Sequence, residues 1–223
     1  MEQLSLKYIE RAPITATETP SVLILLHGYG SNKEDLFSFA QELPDELHII
    51  SVQAPQTLGF GSYSWFTIHF NDTQGKFSDI PEAIEARELV ATFIKEVQEK
   101  YQVKPENTYL LGFSQGTILS YSVALNYPEI IQKVIALSGY VNPELLPKDV
   151  NLKDYSALDF FISHGNVDQV IPVEWANKAP EFLKQLHIKH SYQEYPVGHG
   201  VAPKNFFDFK LWIENHLAKT TNS

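Results

Sequence analysis

The chain has no cysteine. That absence excludes disulfides, thiolate-bound zinc, iron–sulfur clusters and a thiol nucleophile together. It also fits a reducing, cytoplasmic setting. Basic residues are few: 17 Lys and Arg stand against 27 Asp and Glu, a net charge of −10. A chain of that sign lacks the positive footprint of a nucleic-acid binder, and anionic membrane surfaces repel it. No apolar run approaches the roughly 18 residues of a membrane span, so integral membrane association is not expected. The opening MEQLSLKYIERAP contains acidic residues and no apolar stretch, so it does not read as a secretion signal. Gly and Pro number 11 and 13, too few for a low-complexity or collagen-like chain. No repeat and no Gly/Ser linker interrupts the 223 residues, which read as one domain over 1–223. Its oligomeric state stays open between monomer and homodimer.

What is present is an alternation. Short apolar runs at 22–26, 47–52, 108–113, 133–137 and 158–163 suit strands buried on both faces, with a weaker candidate at 191–195. Helical patterns lie between them, at 33–41, 115–126, 173–186 and 205–217. A further helix begins after Asp79, which can cap it; Pro81 sits in its first turn and Glu82 completes a capping box. Its apolar stripe runs through Leu89, Val90, Phe93, Ile94, Val97 and Tyr101. Strands alternating with helices predict an α/β fold, with a mainly parallel central sheet and helices on both faces. Ligands of such sheets bind beyond the carboxyl ends of the strands. Two stretches break the alternation: 53–80, irregular and rich in aromatics, and 140–157. Long segments of that kind are commonly functional.

The strongest chemical signal is Gly112-Phe113-Ser114-Gln115-Gly116, a G-x-S-x-G between a strand pattern and a helix pattern. A serine on such a turn is held in a strained conformation with its oxygen exposed. The helix that follows presents its N-terminus to a developing oxyanion. A hydroxyl needs a base and an orienting acid to become a nucleophile. His199 is the candidate base: it sits in Gly198-His199-Gly200, between the last strand and the last helix. His164, at a strand end, is the competitor and suits a structural role. Asp168 is the candidate acid, after a strand and 31 residues before His199; Asp149, Asp154 and Asp159 are less well placed. The loop His27-Gly28-Tyr29-Gly30-Ser31-Asn32 follows the first strong strand. In hydrolases of this build, one oxyanion donor comes from that loop and one from the residue after the nucleophile. Here those are the backbone N–H groups of Tyr29 and Gln115, with His27 structural. The G-x-x-x-x-G-K-[ST] pattern of a phosphate-binding P-loop is absent.

Together, LLHGYGSNKEDL, SWFTI, LLGFSQGTILS, VIALSGYV, ISHGNVDQVIPV and YPVGHGV resemble the phospholipase/carboxylesterase family of α/β-hydrolases. The resemblance implies an α/β-hydrolase fold with Ser114, Asp168 and His199 as a catalytic triad, and Tyr29 and Gln115 as the oxyanion hole. It places Trp65 and Phe66 near the acyl pocket as candidate substrate contacts. It implies no cofactor and no metal, with a small-molecule ester or thioester as partner. The activity it implies is a carboxylesterase acting on short-to-medium acyl chains. The alternatives are an acyl-protein thioesterase or lysophospholipase on long chains and, more remotely, a non-catalytic binding module on the same fold. An acyl-length series separates the first two readings, and loss of nucleophile, acid or base would mark the third.

Overall fold

Three mainly apolar runs of six residues, buried on both faces except at Phe113, set the centre of the structure, a computed structural model that describes residues 4–17, 20–71 and 75–220. In order, the strands and helices are β1 (Tyr8–Arg11), β2 (Ser21–Leu26), α1 (Lys33–Phe37), β3 (Leu47–Val52), β4 (Gln56–Gly59) and β5 (Ser62–Ser64). Then come β6 (Ile68–Asn71), β7 (Gly75–Ser78), α2 (Ile80–Tyr101), β8 (Thr108–Phe113), α3 (Gln115–Asn126) and β9 (Lys133–Leu137). The chain continues through β10 (Asp159–Gly165), α4 (Val173–Ala176), α5 (Lys178–Gln185), β11 (Lys189–Tyr195) and α6 (Pro203–Thr220).

Seven strands form one sheet in the order β1-β3-β2-β8-β9-β10-β11. β1 runs antiparallel to β3, and the other neighbours are parallel. This is an α/β-hydrolase-type sheet. Alternation along each strand divides the core in two. Ile24 and Leu26 face α2 and α3 with Val90, Phe93 and Leu119. Leu23 and Leu25 face α1 and α6 with Leu36, Phe209 and Ile213. Chain order reverses between β2 and β8, so their carboxyl ends flank a crevice where ligands bind in open sheets.

Several elements differ from the sequence reading, each for a local reason. β1 carries Glu10 and Arg11 on a sheet edge, so no apolar run announces it; Arg11 instead donates to the carbonyls of Ala40, Leu43, Pro44 and Leu47. The segment 53–80 is not irregular throughout but contains two hairpins, β4–β5 and β6–β7, whose strands are too short to show a period. The helix expected over 33–41 tightens into a 3₁₀ turn at Ser38–Gln41. The one expected over 173–186 breaks at Asn177, because Pro180 has no N–H for the carbonyl four residues back. Asp79 caps α2, accepting from the Glu82 N–H at 3.1 Å. Glu82 does not close the box; its carboxylate takes the Thr67 N–H at 2.7 Å and Gln56 Nε2 at 3.0 Å, tying both hairpins to the helix.

The last helix is clamped to the sheet by a buried carboxylate. Asp159 Oδ2 lies 2.9 Å from His216 Nε2 and also accepts from Lys189 Nζ. Burial alone would raise the Asp159 pKa; the bonds from His216 and Lys189 outweigh it, and the pKa is lowered. A carboxyl depressed on folding stabilises the protein above its unfolded pKa, and that stability is lost as pH falls through the folded value. Asp159→Asn is therefore expected to lower Tm at neutral pH. It should also flatten the fall of Tm below about pH 5. Thermal melts of both proteins across pH check this; parallel curves would contradict it.

Candidate active site

The turn after β8 is built by crowding. Ser114 has φ 55° and ψ −113°, a conformation rare for a residue with a side chain. A Cβ on Gly112 would lie 2.4 Å from the Gly116 carbonyl oxygen, and one on Gly116 would lie 2.1 Å from the Leu26 carbonyl oxygen. Only glycine fits at either position, because α3 packs directly on β2 and β8. The Ser114 N–H donates to Leu137 O at 2.9 Å. Thr117 Oγ1, one turn on, lies within 2.7 Å of Gly112 O and 2.6 Å of Leu137 O. The Ser114 side chain makes no capping bond to α3, which leaves its oxygen for other partners.

That oxygen lies 2.9 Å from His199 Nε2, and His199 Nδ1 lies 2.7 Å from Asp168 Oδ2. A carboxylate only accepts, so the Nδ1 proton belongs to His199, and Nε2 is left to accept from the serine hydroxyl. Asp168 Oδ1 accepts the N–H groups of Val170 at 2.7 Å and Ile171 at 2.9 Å. Burial would raise the Asp168 pKa; the bonds from His199, Ile171 and Val170 outweigh it and hold the carboxyl below its usual range. Ser114 follows β8, Asp168 follows β10, and His199 follows β11, so three strand ends converge on one point. An arrangement of this kind can move a proton off the hydroxyl as it attacks an electrophile.

His164 does not replace His199 as the base: no bond joins it to Ser114, although its Nε2 lies 3.4 Å from Asp168 Oδ2. It is wholly buried on β10, and its Nε2–H donates to Ile171 O at 2.9 Å. Asp159 sits in the clamp on α6. His27 is buried in the loop after β2. Trp65 and Phe66 do not line the cleft, contrary to expectation. They are 1% and 0% exposed and belong to the core, because the 65–66 backbone is hydrogen-bonded to the Gln115 side chain.

Ser114 and His199 border two cavities, one mainly apolar and the other of mixed lining. One, of about 360 Å³, is walled by Ile68, Ile118, Tyr140, Ile171, Pro172 and Trp175. The other, of about 510 Å³, is bordered by Gly28, Gly30, Ser31, Asn32 and Asp35. Tyr29 borders both, and Gln115 the first. The wall residues Tyr140, Ile171 and Pro172 were missed in the sequence, although each closely follows an apolar run where ligands are expected. Among the described residues, no group of three or more His, Asp or Glu is placed to hold a metal ion.

The fold and this site define an α/β-hydrolase of the ester-cleaving type. The chain belongs to the phospholipase/carboxylesterase family, which matches residues 12–217. A probable carboxylesterase from Oryza sativa subsp. japonica is 29% identical over 157 residues, spanning 69% of this chain and 58% of the rice protein. Acyl-protein thioesterase 1 of Candida albicans is 25% identical over 225 residues, covering 94% and 97% of the two chains. Among solved structures, esterase PE8 superposes with a TM-score of 0.81 at 25% identity, over 96% of this chain and 99% of that one. A Bacillus cereus carboxylesterase gives 0.79 at 20% identity, over 95% and 94%.

Gly116→Ala tests the crowding directly. The added methyl meets backbone rather than a movable side chain. It is expected to cost at least about 2–3 kcal/mol of stability, read as a drop in urea midpoint. An unchanged midpoint would contradict the packing described.

Proposed function

We propose that the protein is a serine carboxylesterase that cleaves esters of short-to-medium acyl chains through an acyl-enzyme on Ser114. The observation that carries this reading is the hydrogen-bonded chain Ser114–His199–Asp168 on a strained turn bordering a mainly apolar cavity and one of mixed lining. The Ser114 oxygen attacks the acyl carbon while His199 Nε2 takes its proton. Asp168 keeps the imidazole in the right tautomer and stabilises the imidazolium that forms. The N–H groups of Tyr29 and Gln115 receive the oxyanion, and His199 then returns the proton to the departing oxygen. Water, activated by the same imidazole, releases the acid. The mainly apolar cavity takes the acyl chain, and the other faces the leaving group. No step calls on a metal or an organic cofactor. A cytoplasmic location is supported by the cysteine-free composition. No described helix is long and apolar enough to cross a membrane.

A thioesterase or lysophospholipase acting on long acyl chains is the second reading. It is favoured by the full-length likeness to an acyl-protein thioesterase. Hydrolysis of p-nitrophenyl esters from C2 to C12 by wild type and Ser114→Ala decides between them. Wild type is expected to turn over with its optimum at short-to-medium length, and Ser114→Ala to lose at least about 10⁴-fold in kcat. An optimum at the long end would favour the second reading. Turnover retained by Ser114→Ala would contradict both.

A further inference from the structure

Both oxyanion donors in the proposed mechanism are backbone N–H groups, so their aim is set by the planes of two peptides. The geometry points to three buried side chains, those of His27, Trp65 and Gln115, as the positioning residues that hold these planes. This rests on the serine-hydrolase reading above and deepens it.

A trans peptide is planar, with its N–H directed opposite to its carbonyl. The Gly28 carbonyl and the Tyr29 N–H belong to one peptide. His27 Nδ1 donates to Gly28 O at 2.8 Å, and the Ser31 N–H reaches the same oxygen at 3.3 Å. Gly30, at φ 79°, closes the turn between them. Holding that carbonyl therefore aims the Tyr29 N–H the other way. The turn lies against the nucleophile: a Cβ on Gly28 would sit 3.3 Å from Ser114 Cβ. His27 has one tautomer available for this task, because its Nε2 accepts the Ala54 N–H at 3.1 Å. Burial lowers the His27 pKa, which keeps the ring neutral.

The second donor is tied to the first. Trp65 Nε1 donates to His27 O at 2.9 Å, fixing the preceding peptide. The Trp65 backbone N–H donates to Gln115 Oε1 at 2.9 Å, and Gln115 Nε2 donates to Phe66 O at 2.7 Å. A carboxamide engaged at both ends has one orientation. Gln115 is thereby anchored to the 65–66 backbone while its own N–H opens α3. His27, Trp65, Phe66 and Gln115 are each 1% exposed or less, so water does not compete for these bonds. A purely structural role would stabilise the fold without acting more strongly on the transition state than on bound substrate.

An alkyl boronic acid separates the two roles. Ser114 Oγ adds to the trigonal boron, its proton passes to His199, nothing leaves, and a boron-bound oxygen occupies the oxyanion position. His27→Leu and Gln115→Leu are each expected to weaken boronate binding about 10–100-fold, below the full loss of a donor. The kcat on a p-nitrophenyl ester should fall by a similar factor while KM holds. His27→Asn, whose Nδ2 offers a donor where Nδ1 stood, is expected to recover most of the loss. Trp65→Phe keeps the packing, folds, and should lose several-fold in both quantities. Folded variants that bind the boronate as wild type does, or that change Tm and KM alone, would overturn the inference. A wild type that neither turns over nor binds boronate would overturn the hydrolase reading itself.

Discussion

The cleft depends on one backbone residue held where side-chain-bearing residues rarely sit. Ser114, at φ 55°, carries strain of about 1–3 kcal/mol, which persists only when the surroundings over-determine it. Here β2, β8, β9 and α3 all press on it. The Leu137 carbonyl takes its N–H, Thr117 staples the turn to β8 and β9, and two glycines let the helix approach the sheet at backbone contact distance. Relaxing the turn would require moving the central strands, so the fold's most buried region supplies the cleft's rigidity.

A gradient of burial extends outward from that turn. The Asp168 side chain is wholly buried, that of His199 is 18% exposed, and Ser114 borders both cavities. The deep carboxylate stays ionised because three N–H groups point at it, two from backbone and one from imidazole. A proton can therefore shuttle between Ser114 and His199 without leaving Asp168 uncompensated. In the proposed reaction the cavities add direction: the mainly apolar one takes the acyl chain, and the other faces the fragment that His199 protonates.

Much of this was legible in the sequence because it is local or periodic. Continuous apolar runs placed β3, β8 and β9 residue for residue, and helical spacing placed α3 likewise. Chain order, together with positions just after strands, was enough to select Ser114, Asp168 and His199, which the fold brings within hydrogen-bond reach. The misses are non-local. β1 is an edge strand whose stability comes from pairing with β3 and from Arg11 stitching four carbonyls, neither of which leaves a period. Glu82 looked like a capping-box residue, but its carboxylate was drawn to two hairpins distant in sequence. Trp65 and Phe66 looked like pocket aromatics; they became core residues because the side chain of Gln115, fifty positions on, holds their backbone inward.

The most direct test is intact-mass analysis after incubation with a fluorophosphonate, followed by peptide mapping, on wild type and Asp168→Asn. One adduct on Ser114 is expected in wild type, formed far more slowly when Asp168 can no longer hold the imidazole in the right tautomer. A folded wild type that gains no adduct, or gains it on another serine, would contradict the assignment of Ser114 as the activated nucleophile.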